Sequence, residues 1–157
     1  MTTTTFADYA AAAEARKDIA AKVLAHSLEL CEALRQNYIN YAIRMSKVSM
    51  SRDGASTEYY EDRIAKLEKG ICDVDFTLDT GRKYHKIWHL DSGGSRSCHA
   101  FIDKKTGEVY KPASYKAPAK GVRFNLLIIK EREYLLNPAN CDWAGGYLYR
   151  NSSYFCS

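Results

Sequence analysis

No Cys-x-x-Cys pair occurs in this chain, although it holds five cysteines, Cys31, Cys72, Cys98, Cys141 and Cys156. An odd, scattered set fits free thiols in a reducing compartment better than a disulfide framework, and it lacks the paired ligand spacing of a zinc site. Apolar runs of the ~18–20 residues that a membrane span needs are missing too, so no membrane partner is expected. The opening Met-Thr-Thr-Thr-Thr-Phe lacks the basic start and apolar centre of a secretory signal, which makes the cytoplasm the expected location. The Lys-Ser/Thr of a nucleotide-binding loop is absent beside the Gly93-Gly94 pair, and no cofactor is expected.

What is present describes an ordinary globular chain of 157 residues, 46% hydrophobic and 27% charged, a length that suits one folding unit. From about Tyr9 to Met50 neither Pro nor Gly interrupts an Ala-rich stretch with apolar positions at Val23, Leu30, Leu34, Tyr38, Tyr41 and Met45, which predicts one long helix. Leu24, Leu28 and Cys31 form a second stripe that widens its expected buried face. Asp53-Gly54 predicts a turn, Ser56 or Thr57 a cap, and Gly70 the end of a second, shorter helix. The segment 1–70 therefore reads as a helical hairpin.

From Ile71 the period falls from near 3.6 to near 2. In "ICDVDFTLD" Val74, Phe76 and Leu78 face one way, and Asp73, Asp75 and Asp79 the other. "KYHKIWHLDSGGSRSCHAFIDKKTGEVYK" reads as three strands with turns at Gly93-Gly94 and at Lys104 to Gly107. Pro112 and Pro118 make "PASYKAPAKG" an ordered loop, Phe124 to Ile129 reads as a further apolar strand, and "GGYLYRNSSYF" as a closing strand. Helices followed by strands give an α+β class, with the hairpin of 1–70 covering a mostly antiparallel sheet in 71–157, the two forming one folding unit.

Catalytic and metal chemistry find little support. His85 and His89, on one face of a strand, would stand about 13 Å apart at about 3.3 Å per residue, too far to grip one ion. Cys98 and His99 point to opposite faces, and the histidines read as polar surface groups of a hairpin. No catalytic residue and no metal ligand is expected. "DSGGSRS" offers backbone amides for an anion-binding nest with Arg96 beside it, although any tight hairpin also favours Gly-Gly.

Charge is the informative feature. Residues 81–125 carry ten Lys and Arg against three Asp and Glu, whereas residues 51–80 carry a net charge of −4. Within that block "EVYKPASYKAPAKGVRFN" spaces cations between Tyr, Pro, Ala and Gly. Lys83, Lys86, Arg96, Lys111, Tyr115, Lys116, Lys120 and Arg123 are the candidate nucleic-acid-binding residues, with cations attracting phosphates and aromatic faces stacking on unpaired bases.

The run "CHAFIDKKTGEVYKPASYKAPAKGVRFNLL" with the later "DWAGGYLY" resembles small uncharacterised proteins encoded by tailed bacteriophages, over about Lys83 to Arg150. That resemblance implies a phage product acting in the host cytoplasm and brings no assigned activity. The expected function is a non-enzymatic nucleic-acid-binding module. The alternatives are a structural protein that self-associates through the long helix, and a nucleotide-binding protein countering a host defence, with Arg96, Tyr115, Trp143 and the Gly-Gly turn as its pocket. The expected partners are thus nucleic acid and a second copy of the chain.

Overall fold

A computed structural model describes residues 3–52, 54 and 56–149. It has an α+β fold in which a long helix pair precedes a five-stranded antiparallel sheet. Helix α1 (Phe6–Met50) begins earlier than its apolar pattern suggests, because Thr5 and Asp8 form a reciprocal capping box that satisfies two otherwise unpaired amides. Helix α2 (Thr57–Glu68) is capped by Ser56, whose hydroxyl accepts from the Tyr59 N–H. It ends at Gly70, φ 81°, where the Gly70 and Ile71 amides donate back to the Leu67 and Lys66 carbonyls. Asp53 of the expected turn lies outside the described residues.

The strands form a meander in chain order: β1 (Asp75–Thr80), β2 (Tyr84–Leu90), β3 (Arg96–Asp103), β4 (Glu108–Tyr110) and β5 (Phe124–Asn125). Period-2 alternation sends Phe76, Ile87, Ile102, Val109 and Phe124 to one face, where they pack against Val23, Leu30, Cys31 and Leu34 of α1. Residues of both chain regions thus share one core. The register slips at Ile87/Trp88, a bulge that sets His99 beside Ala100 on the helix side of β3 while Cys98 stays opposite Trp88.

Several expectations are corrected. Leu24 and Leu28 are 40% and 49% exposed, so the second stripe of α1 does not widen its buried face beyond Cys31, and Met45 of the first stripe is 40% exposed as well. His85 and His99 are buried on the helix side, not displayed at the surface. The apolar run after Phe124 is not a strand. Asn125 Oδ1 accepts the Leu127 N–H at 2.8 Å, which turns the chain out of the sheet and into α3 (Ile129–Leu135). Gly146–Tyr149 forms a 3-10 turn where a closing strand was expected, and the remainder of that expected strand lies outside the described residues. Arg150 and Cys156 also lie outside them. Among the described residues no helix is long and apolar enough to cross a membrane.

Candidate nucleic-acid interface

The sheet face turned away from α1 collects the cations. Cross-strand register sets Lys86 opposite Phe101 and Phe101 opposite Tyr110. One step further along the ladder stands Arg123, whose N–H donates to the Val109 carbonyl at 2.8 Å. With Asp79 opposite Lys86 on β1, the row runs carboxylate, cation, ring, ring, and Arg123 follows just beyond the paired residues of β5. A second row begins at Trp88, with the Arg96 guanidinium 4.2 Å from the Trp88 ring centroid and the Lys86 ammonium 5.0 Å from it.

Residues 111–123 fold across this face as a flap. Pro112 and Pro118 pair as an antiparallel bridge, and the Ala113 and Ser114 amides donate to Ala117 while Ala119 donates to Lys111. These bonds satisfy the backbone of a segment whose prolines rule out a longer ladder. The Lys86 ammonium donates to the Tyr115 carbonyl and so ties the flap to β2, keeping two further N–H donors. Tyr115 itself is 61% exposed, with Lys116 over its ring at 5.5 Å. Between flap and strand runs a groove of about 500 Å³, lined by Trp88, Arg96, Cys98 and Pro112 to Tyr115.

The eight candidate residues do not all meet. Lys86, Arg96, Tyr115, Lys116 and Arg123 share the outer face and its flap. Lys83 stands at the end of the same face, 5.3 Å from the Tyr84 ring. Lys111 departs from them: alternation after Tyr110 turns it to the helix side, 4.3 Å over the ring of Tyr149. Lys120 is exposed on the flap. Among the described residues, none of the ten Lys and Arg between positions 81 and 125 forms an ion pair; the pairs present, such as Arg35–Asp75 and Lys66–Asp62, lie elsewhere.

Trp88 and Phe101, both buried, are the rings on which Lys86 and Arg96 rest, a supporting role missing from the candidate set although the alternation of "YHKIWHL" already puts Tyr84, Lys86 and Trp88 on one side. The Gly-Gly nest is corrected. The Asp91 carboxylate accepts the Gly93 and Ser95 amides at 2.9 and 3.0 Å, so an internal anion fills the place of an external one. The nucleotide pocket imagined from Arg96, Tyr115 and Trp143 does not assemble, because Trp143 packs against Tyr38, Tyr41 and His89 on the helix side.

Burial pushes the Cys98 thiol up to about 11, with the Lys86 charge opposing the shift, so it is protonated at neutral pH and a poor nucleophile. His99 is driven down to about 3, chiefly by burial and then by His89, and its Nε2 lies 2.8 Å from the Tyr147 hydroxyl. It is a neutral ring inside the core. Among the described residues no group of three or more His, Cys, Asp or Glu is placed to hold a metal ion.

No curated protein and no solved structure matches the chain. Residues 6–150, nearly its whole length, match the family of unknown function DUF7717, and the chain belongs to that family.

Proposed function

We propose that the chain is a non-enzymatic nucleic-acid-binding module, phage-encoded and acting in the host cytoplasm, which takes a single strand across the outer sheet face and its flap. The observation that carries this reading is that, among the described residues, the ten cations at 81–125 make no ion pair, and six of them, Lys83, Lys86, Arg96, Lys104, Lys111 and Lys116, rest instead on an aromatic ring or a carbonyl. Cations without a partner carboxylate are available to phosphates, and releasing counterions from the strand supplies the attraction. The groove has the exposed Arg96 guanidinium, laid on the buried Trp88 ring, on one wall and the exposed Tyr115 ring on the other, two planes that suit an unpaired base better than a duplex, whose bases are already stacked. The phage origin rests on the likeness of residues 83–150 to phage-encoded proteins.

Fluorescence anisotropy with labelled single- and double-stranded DNA and RNA over a salt series tests the reading. The expected result is tighter binding to single strands, with affinity falling as salt rises by about 0.7 log units per log unit of salt for each phosphate contact. Tyr115→Ala should weaken binding by about 1–3 kcal/mol without altering that slope, and Arg96→Ala should lower the slope by about 0.7. Absent or salt-insensitive binding would reject the proposal.

A further inference from the structure

Helix α1 and the sheet differ in length. At about 1.5 Å per residue the 45 residues of α1 span about 67 Å, whereas the seven residues of β2 span about 23 Å at about 3.3 Å each. The helix overruns the sheet at its N-terminal end: its first buried residue is Val23, so residues 6–22 form an arm beyond the core. That arm passes the end of the sheet where the β1–β2 and β3–β4 turns sit side by side, joined by the Lys104 N–H to Lys83 carbonyl bond at 3.1 Å. A cleft of about 730 Å³ lies between arm and turns.

Its walls are cationic on both sides. The arm contributes Arg16 and Lys17, and the turns contribute Arg82, Lys83, Lys104 and Lys105. Against these six charges stands a single carboxylate, Asp103, whose Oδ1 already accepts the Lys105 and Thr106 amides at 2.8 and 3.1 Å. Lys17 pairs with Glu14 at 3.6 Å, but both side chains are about three-quarters exposed and the pair holds weakly; Lys104 donates one N–H to the Gly81 carbonyl at 3.0 Å. Ala13, Ile19 and Ala20 supply the remaining arm surface.

We propose that this cleft is a second phosphate-binding site, which takes the sugar–phosphate backbone of the same strand after it leaves the outer sheet face; the proposal rests on the nucleic-acid reading above. Lys83 connects the two, since it lines the cleft and also stands over Tyr84 at the end of the outer face. A mononucleotide is a poorer occupant, because no aromatic side chain lines the cleft to stack a base. The stretch from Ala13 to Ala20 rises about 10 Å, room for a short run of phosphates. Sequence reasoning confined to 83–123 misses Arg16 and Lys17, which lie some 65 residues away in an otherwise ordinary helix.

The test compares labelled single-stranded homopolymers of eight and thirty nucleotides on the full chain and on two double variants. Arg16 and Lys17 are exposed on the arm, so Arg16→Ala/Lys17→Ala leaves the core intact. It should weaken binding of the thirty-mer about twenty-fold at 0.1 M salt and lower the salt slope by about 1.4, at about 0.7 per contact, while the eight-mer, short enough for the sheet face alone, changes little. Arg82→Ala/Lys105→Ala should do the same from the opposite wall. If the unmodified chain binds both lengths and both variants keep its affinity and slope, the cleft is not a phosphate site while the sheet-face reading stands. If the unmodified chain binds neither length, the sheet-face reading falls and the cleft proposal falls with it.

Discussion

His99 shows how far a residue's surroundings can depart from its sequence context. Between Cys98 and Ala100 it reads as a surface imidazole of a hairpin, yet the bulge opposite Ile87/Trp88 turns it inward, edge-on to Phe76 and within 2.8 Å of the Tyr147 hydroxyl. Period 2 alone cannot reveal a one-residue insertion in a ladder. The consequence is a pH dependence. An unfolded His99 titrates near the ordinary value of about 6.5, whereas in the folded chain it titrates at about 3, so below 6.5 the unfolded chain binds the extra proton. Its folded-state advantage is therefore complete above pH 6.5 and is lost as pH falls toward 3. His85 and His89, also lowered by burial, add in the same direction. Urea unfolding at pH 7.5 and pH 5 should differ by about 2 kcal/mol from His99 alone, and His99→Gln should remove that share of the difference while lowering stability at pH 7.5.

Among the elements, those with local signals were legible and those set by long-range fit were not. The capped αα pair, the Asp/Phe/Thr/Leu alternation of β1 and the Gly94 and Gly107 turns all announce themselves through residues within a few positions of one another. The run from Phe124 to Ile129 misleads for the opposite reason. Its apolar side chains look like a strand, but Ile128 and Ile129 are 47% and 62% exposed, and an Asx turn at Asn125 ends the pairing after two residues. The β3–β4 turn gives a direct test of that local economy. Gly107 has φ 76°, and a Cβ there would approach Leu127 Cγ to 3.0 Å and Asn125 Oδ1 to 3.1 Å. Gly107→Ala should cost more than Gly121→Ala, where φ is 96° but no atom lies within 4 Å. The backbone strain common to both is about 1–3 kcal/mol, and denaturant midpoints for the pair measure what the crowding adds.

For the whole molecule, the α+β order and the basic block were readable because composition and periodicity survive any arrangement in space. Which cations share a face was not, since that depends on strand register, and register separates Lys111 from Lys86 and Arg96. Nor does a helical pattern disclose where its partner stops. Leu24 and Leu28 belong to an apolar stripe, but the sheet covers only the adjacent face, which carries the fully buried Val23, Ser27 and Leu30. Removal of residues 1–20 should accordingly leave thermal unfolding cooperative and change stability by no more than about 1 kcal/mol, because among the described residues every core side chain lies at or beyond Val23. A lost transition in calorimetry would show that the arm is part of the core.

The overhang of α1 also divides its backbone into two regimes of solvent exchange. Amides before Val23 are held by helix propensity and one capping box, so they should trade deuterium through fraying from Thr5 inward, each turn slower than the last. Amides from Val23 to Leu34 should open only with the sheet, and the boundary should appear as a step in protection at the point where the helix first meets the strands.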